Sequence, residues 1–324
     1  MQYVNLGPTG IKVSRICLGT MTYGSKKWRE WVLEEKESLP FIERALDAGI
    51  NFFDTADMYS NGVSEEILGH AIKKLVPDRE DVVIATKCFN GTENRKRNRW
   101  GLSRKHIIDA CDRSLKRLGM DYIDLYQIHR FDEHTPMEET LEALHDLVKV
   151  GKVRYLGASS MAAWQFTKYL YLADVHGWTR FVTMQNHYNL VYREEEREMM
   201  PLCAEEKIGC IPWSPMARGY LAGNRSGEQT LRAKTDDFGK KLYGGGDDEA
   251  VAACNEAIAK KLGVKPVQLA LAWVLANPAV TAPIIGASKP EHLTDAIDAL
   301  KIEISAADKA ALEGLYKPHA VLGF

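Results

Sequence analysis

The sequence lacks any pair of cysteines two residues apart; its six cysteines stand alone at positions 17, 88, 111, 203, 210 and 254. A chain this long buries enough surface to fold without covalent staples. The pattern therefore excludes a disulfide scaffold and points to a reducing, cytoplasmic compartment. No HxxH or HExxH spacing occurs, so the common metal-ligand signatures are missing and no metal site is expected. No run of about 18 apolar residues occurs, so no membrane span is expected. The first residues, M-Q-Y-V-N-L-G, have no basic head followed by a long apolar core, and no cleaved signal is expected. Charge of one sign is also missing: 42 basic against 44 acidic residues leave a net charge of -2. Nothing here attracts nucleic acid in bulk. The one basic cluster, Arg95 to Arg99, lies in a Gly/Asn-rich loop. It reads either as a solvated loop or as an anion-attracting rim. No Gly-, Ser- or Pro-rich linker divides the chain, and residues 1–324 are read as a single domain.

What is present is a repeat of form. Residues 51–59 read N-F-F-D-T-A-D-M-Y. The stretch starts as an apolar strand, Ile50 to Phe53, and turns polar at Asp54 within one residue. A helix follows from about Ser64. Seven further stretches repeat the arrangement of apolar strand, polar end and helix. The strands are expected at Ser14–Leu18, Val82–Thr86, Tyr122–Ile128, Val153–Gly157, Phe181–Met184, Ile208–Ile211 and Thr281–Ile285. A hairpin is expected ahead of them. The helix at Glu34–Ala48 is expected to carry Pro40 near its first turn, where a missing N–H costs least. Parallel strands need such crossovers, and eight units at this length predict an α/β fold of the (β/α)8 TIM-barrel type. A doubly wound open sheet is the alternative, with fewer units. The stretch at about 213–247 holds little periodic signal and reads as a long loop after strand seven, of the sort that covers a site or moves.

In a barrel the strand ends open on one face, where chemistry sits. Asp54, Lys87 and His129 end consecutive strands, and Tyr59 follows Asp54 closely. Any one of them alone reads more simply as a cap or a solvated end. Together they have a specific chemistry. A free phenol is a poor acid at neutral pH, and an adjacent ammonium favours the phenolate. Lys87 supplies that ammonium, Asp54 holds it, and Tyr59 donates a proton to a carbonyl oxygen as it gains charge. His129, neutral, orients the carbonyl. The set lacks a reductant, which no side chain supplies.

The segments F-F-D-T-A-D-M-Y, A-T-K at strand three, D-Y-I-D-L-Y-Q-I-H-R, G-A-S-S, M-Q-N, W-S-P-M-A-R-G and I-I-G-A-S-K are similar to those of the aldo-keto reductase superfamily. The likeness runs from about residue 2 to residue 300. Its flavour resembles the bacterial branch related to the potassium-channel beta subunits. The resemblance implies a (β/α)8 barrel and NADPH-dependent reduction of aldehydes or ketones, with NADPH preferred over NADH. It implies the tetrad Asp54, Tyr59, Lys87 and His129. It implies that Ser159 and Gln185 hold the nicotinamide carboxamide and that Trp213 stacks on the ring. Gly19, Thr20 and Met21 match the loop near the ring and ribose; Ser214, Met216, Arg218 and Gly219 match the loop along the pyrophosphate. Ser288 and Lys289 match the site of the adenosine 2'-phosphate, which wants cationic and N–H donors. The chain departs from the family pattern at Ser160, where Asn is usual, and at His292, Asp295 and Ala296 in the adenine region.

Trp28 and Trp31 read either as packing at the barrel mouth or as a lining of an apolar substrate pocket. Asp57 reads as a hydrogen-bonding loop residue. His70, His106, His145 and His176 read as structure or surface. Two rivals stand beside the reductase. One is a slow or non-catalytic NADP(H)-binding partner subunit. The other is a hydrolase using Asp54 with Asp124 or Asp57 as a carboxylate pair, which leaves Lys87 and the Gly-Ala-Ser motifs without a role. Substrate identity and oligomeric state stay open.

Overall fold

The structure is a computed structural model that describes residues 1–92, 97–223 and 230–323. The basic stretch at Arg95 lies partly outside the described residues. The chain opens with an antiparallel hairpin of β1 (Tyr3–Asn5) and β2 (Lys12–Ser14). The first barrel strand, β3, runs Cys17–Gly19, not from Ser14 as expected. Ser14 belongs to the hairpin instead. It pairs with Tyr3, its N–H donates to Asn51 Oδ1, and its hydroxyl donates to the Ile16 carbonyl.

Seven more strands follow: β4 (Phe52–Asp54), β5 (Val83–Cys88), β6 (Ile123–Ile128), β7 (Val153–Ser159), β8 (Phe181–Gln185), β9 (Gly209–Cys210) and β10 (Ile284–Ile285). They form a parallel sheet in the order β10-β3-β4-β5-β6-β7-β8-β9. Parallel bridges from Cys210 to Val280 and from Trp213 to Ile284 join the two ends. This is the (β/α)8 barrel that the alternation predicts. The interior is filled from the hairpin side by Leu6, Val13, Phe52, Leu125 and Ile211. Two glycines allow the closure. A Cβ on Gly7, which has φ +57°, would meet the Val182 carbonyl oxygen at 2.2 Å. A Cβ on Gly19 would lie 2.6 Å from Ile284 Cγ2.

The helices are α1 (Glu35–Asp47), α2 (Val63–Leu75), α3 (Arg104–Leu118), α4 (Met137–Lys149), α5 (Ala163–His176), α6 (Met199–Glu205), α7 (Leu231–Thr235), α8 (Asp237–Leu242), α9 (Gly246–Leu262), α10 (Pro266–Leu275), α11 (Pro290–Ala299) and α12 (Ala306–Gly314). Their ends follow local chemistry. Ser103 and Ser305 accept the N–H of His106 and Asp308 at the starts of α3 and α12. Left-handed glycines stop α3, α5 and α9.

Pro40 departs from expectation. It lies inside α1, past the first turn, since the helix begins at Glu35, where the Glu37 carboxylate accepts the Glu34 N–H at 2.9 Å. Pro40 and Lys36 are both exposed, so water can serve the carbonyl that the proline leaves unpaired. The helix expected at Glu194–Glu206 splits into a 3-10 turn, Glu194–Glu196, and α6. There the Glu194 carboxylate is drawn to the Tyr316 hydroxyl and the His319 N–H. The long segment after β9 is also more ordered than expected, since it holds the short helices α7 and α8. Among the described residues no helix is long and apolar enough to cross a membrane.

Candidate active site

Four of the expected strand-end residues meet. Asp54 ends β4 and Lys87 lies near the end of β5, both buried. The Lys87 ammonium donates to Asp54 Oδ1 at 2.6 Å, to the Thr55 carbonyl at 2.8 Å and to the Tyr59 hydroxyl at 3.3 Å. Burial alone would push Lys87 down. The negative charges of Asp54 and of Tyr59 as phenolate, with their hydrogen bonds, outweigh it and hold the ammonium above its usual range. Tyr59 opens a turn whose next residues are all left-handed: Ser60 at φ 49°, Asn61 at φ 55° and Gly62 at φ 97°. Such backbone is costly for Ser and Asn and tends to mark functional sites.

His129 directly follows β6, its ring edge-on to Tyr59 at 5.9 Å between centroids. Burial, helped by the charges of Arg130 and Lys87, holds it well below the ordinary histidine range, so it is neutral. Its buried Nδ1 has no hydrogen-bond partner among the described residues.

The next layer is built from amides and hydroxyls. Gln185, at the end of β8, donates from Nε2 to Asp54 Oδ2 at 3.0 Å and to Gln127 Oε1 at 3.2 Å. Gln127 itself donates to Asp54 Oδ2 at 3.0 Å. Ser159 donates to the Gln185 carbonyl at 2.9 Å. Ser160, at φ 45°, accepts the Trp213 indole N–H at 3.0 Å. His187 stacks on that indole at 4.1 Å and 7°, and its other face lies on Tyr192 at 4.0 Å. An unbroken chain of contacts thus runs from Tyr59 through Lys87, Asp54, Gln185, Ser159 and Ser160 to Trp213.

The loops around this centre are tied by charge. Asp236 at the start of α8 takes Arg218 at 2.5 Å, Arg232 at 3.3 Å and Arg29 of the first loop at 3.6 Å. Burial and the neighbouring Arg218 push Arg232 down to about 10. Trp31 lies under Arg232 and Arg29, at 4.5 and 5.6 Å from the ring centre, and is only 8% exposed. Its ring packs against guanidinium groups, whereas Trp28, beneath Arg29 alone, stays partly exposed.

Thr20 is buried and bonded to the Asp54 carbonyl and to Ser64, with Gly19 before it and half-buried Met21 after it. The Ser214 carbonyl accepts from Asn189; Met216, Arg218 and Gly219 follow in a tight turn in which the last two are left-handed. Ser288 donates its N–H to His292 Nδ1, and Lys289 stands at the N-cap of α11. Asp295 is held by Lys265 at 2.8 Å and by Gln268 at 3.0 Å, both on or beside α10.

Asp124 is no carboxylate partner for Asp54. Asp124 accepts from Arg79 and from the Ile84 N–H near the start of β6, away from the strand ends. Sequence reasoning missed Gln127, Arg29, Arg232 and Asp236. For Gln127 a signal existed: it is a polar residue two positions before His129 in a strand buried throughout. The others gave none.

The profile of the Aldo/keto reductase family matches residues 15–317. The chain belongs to the aldo-keto reductase family. Its relatives include versiconal hemiacetal acetate reductase of Aspergillus parasiticus, 44% identical over 340 residues, covering 99% of this chain and 98% of that one. An aldo-keto reductase of Fusarium vanettenii is 41% identical over 346 residues, covering 100% and 93%. Another, of Metarhizium robertsii, is 42% identical over 348 residues, with the same two shares. These relatives are fungal, and the bacterial branch expected from the sequence finds no support in them. Aldo-keto reductases use nicotinamide cofactors, and this one is an NAD(P)H-dependent oxidoreductase.

Proposed function

We propose that the chain reduces an aldehyde or ketone to an alcohol with NADPH, Tyr59 donating the proton, and that residues 1–324 act as one cytoplasmic barrel domain. The observation that carries this reading is the Lys87 ammonium within hydrogen-bond reach of both the Asp54 carboxylate and the Tyr59 phenol. Asp54 keeps Lys87 charged and in place; Lys87 stabilises negative charge on the phenolic oxygen as the proton leaves. Neutral His129 offers the carbonyl oxygen a second contact beside Tyr59. NADPH, when bound, supplies the hydride.

The residues fit a nicotinamide. Among the described residues the Gln185 side-chain hydrogen bonds run through Nε2 alone, so its Oε1 can accept from a carboxamide N–H. Ser160, which accepts from Trp213, can turn its one hydroxyl hydrogen from the long 3.4 Å contact with Ser159 to a carboxamide oxygen, the task of the amide usual in the family. His187 covers one face of Trp213 and Phe238 lies tilted beside the ring at 6.4 Å; a nicotinamide would take the face opposite His187. Lys289 and the Ser288 region supply the cation and donors that would hold a 2'-phosphate and so favour NADPH over NADH.

Tyr59→Phe is expected to lose nearly all turnover while binding NADPH much as the unchanged protein does. NADPH consumption with a panel of aromatic aldehydes and a hemiacetal ester, one relative being named for such a substrate, measures it. Full activity in that variant would refute the proton-donor role. Sustained multiple turnover in the unchanged enzyme separates it from a slow cofactor-binding partner subunit, and parallel assays with NADH test the cofactor preference.

A further inference from the structure

We propose that Gln127 is a positioning residue that fixes the amide of Gln185, turning its oxygen rather than its nitrogen toward the nicotinamide carboxamide. The proposal rests on the reading that a nicotinamide binds beside Gln185. The hydrogen bonds of three buried side chains carry it.

An ionised carboxylate only accepts. Asp54 uses Oδ1 for Lys87. Its Oδ2 faces Gln127 Nε2 and Gln185 Nε2, each at 3.0 Å. Both amides must therefore present NH2 to Asp54. Gln127 then has its oxygen free, and that oxygen accepts the second hydrogen of Gln185 Nε2 at 3.2 Å. Both Gln185 hydrogens are now committed, and its own Oε1 is the one polar atom left for a ligand. Without Gln127, Asp54 alone would restrain one of those hydrogens, and the second would be free to turn to another acceptor.

Placement supports a specific contact. Gln127 pairs in register with Lys87 on one side and with Gly157 on the other. A Cβ on Gly157 would sit 2.9 Å from Gln127 Cγ, so the neighbouring strand leaves space for this side chain. Gln127 is fully buried and touches no expected ligand position itself. It acts through Gln185.

The test compares NADP+ with its 3-acetylpyridine analogue, in which a methyl group replaces the carboxamide NH2. Affinities are measured by calorimetry for the unchanged protein, Gln127→Leu and Gln127→Glu. An acceptor fixed by Gln127 makes the unchanged protein prefer NADP+ by about tenfold, since the analogue leaves Gln185 Oε1 unpaired. In Gln127→Leu that preference is expected to fall to about twofold or less, a change that simple loosening of the fold would not produce.

Gln127→Glu keeps the shape. The charged or titratable groups around the position are Asp54 on β4, Lys87 on β5 and, behind Asp54, Cys17 on β3. While protonated, the introduced carboxyl can donate to Asp54 and accept from Gln185 as the glutamine does; once ionised it repels Asp54. In either form it accepts from Gln185 Nε2, so the preference for NADP+ should persist in this variant, most cleanly at acidic pH.

Unaltered discrimination in folded Gln127→Leu, or its loss in folded Gln127→Glu at acidic pH, overturns the proposal. Should the leucine variant not fold, Gln127→Met, which also lacks the amide oxygen, takes its place in the same comparison. Absence of NADP+ binding in the unchanged protein sinks the underlying reading instead, and the proposal with it.

Discussion

A carboxyl with no ion-pair partner among the described residues stands two positions before the proposed proton donor. Asp57 is buried, and one of its oxygens has no hydrogen-bond partner. Burial, with the charge of Glu65 adding, lifts it from 3.8 to about 7. A carboxyl whose folded value lies above its unfolded value weighs against the folded state once it ionises. That penalty is absent below the unfolded value, grows as pH rises between the two, and is complete above the folded one. Asp57→Asn removes it. The variant should therefore be more stable than the unchanged protein at pH 8, by about 2–4 kcal/mol, and the gap should close near pH 4. Urea unfolding at the two pH values measures this, and a gap that ignores pH would show that Asp57 carries no such burden. Lys87 contrasts with it. Equally buried, it keeps its charge because Asp54 and Tyr59 face it. Identical burial thus gives opposite outcomes, and the partner decides.

The turn carrying Tyr59 is held by a neighbouring loop. Gly24 lies so close that a Cβ there would come within 1.9 Å of Ser60 Oγ, and that hydroxyl accepts the Ser25 N–H at 3.1 Å. Gly24→Ala should push the left-handed turn and move the phenol. A loss of about tenfold or more in kcat is expected with about 1–3 kcal/mol of stability. Adding Ser60→Gly removes the clashing atoms and should restore much of the rate. A double-mutant cycle on kcat reads the coupling, and additivity would mean that the two loops are independent.

Contacts of this kind also mark the limit of what the sequence reveals. Asp54, Lys87 and His129 are legible because each breaks an apolar run where a strand ends. The barrel is legible because strand and helix periods alternate eight times. Ser60 against Gly24, Gln127 against Gly157, and Asp236 among three arginines join residues far apart in the chain, with no period to announce them. Ser14 reads as barrel strand for a related reason: alternation cannot tell a hairpin strand from the barrel strand three residues on. Pro40 reads as first-turn because a proline costs least there, yet in α1 it is tolerated further in, where an exposed face lets water serve the Lys36 carbonyl.

The barrel is not equally firm all round. Strands β5, β6 and β7 have six or seven residues each, whereas β9 and β10 have two each. The seam between the short strands relies on bonds such as Thr281 N–H to the Cys210 carbonyl and Ile284 N–H to the Pro212 carbonyl. Amides along this seam should exchange with deuterium before those of β5 to β7, since local opening follows the least-paired region. Uniform protection around the sheet would contradict this. Openings of that kind can be timed with a chemistry already in the chain. Five of the six cysteines are buried and only Cys254 is partly exposed. A maleimide added to the native protein should modify one thiol quickly and the remainder at the pace of opening. Cys17 lies on β3, which pairs with β10, and Cys210 is on β9 itself. Peptide mass spectra that find these two labelled ahead of Cys88 and Cys111 would give the enzyme an internal stopwatch, with no probe engineered into it.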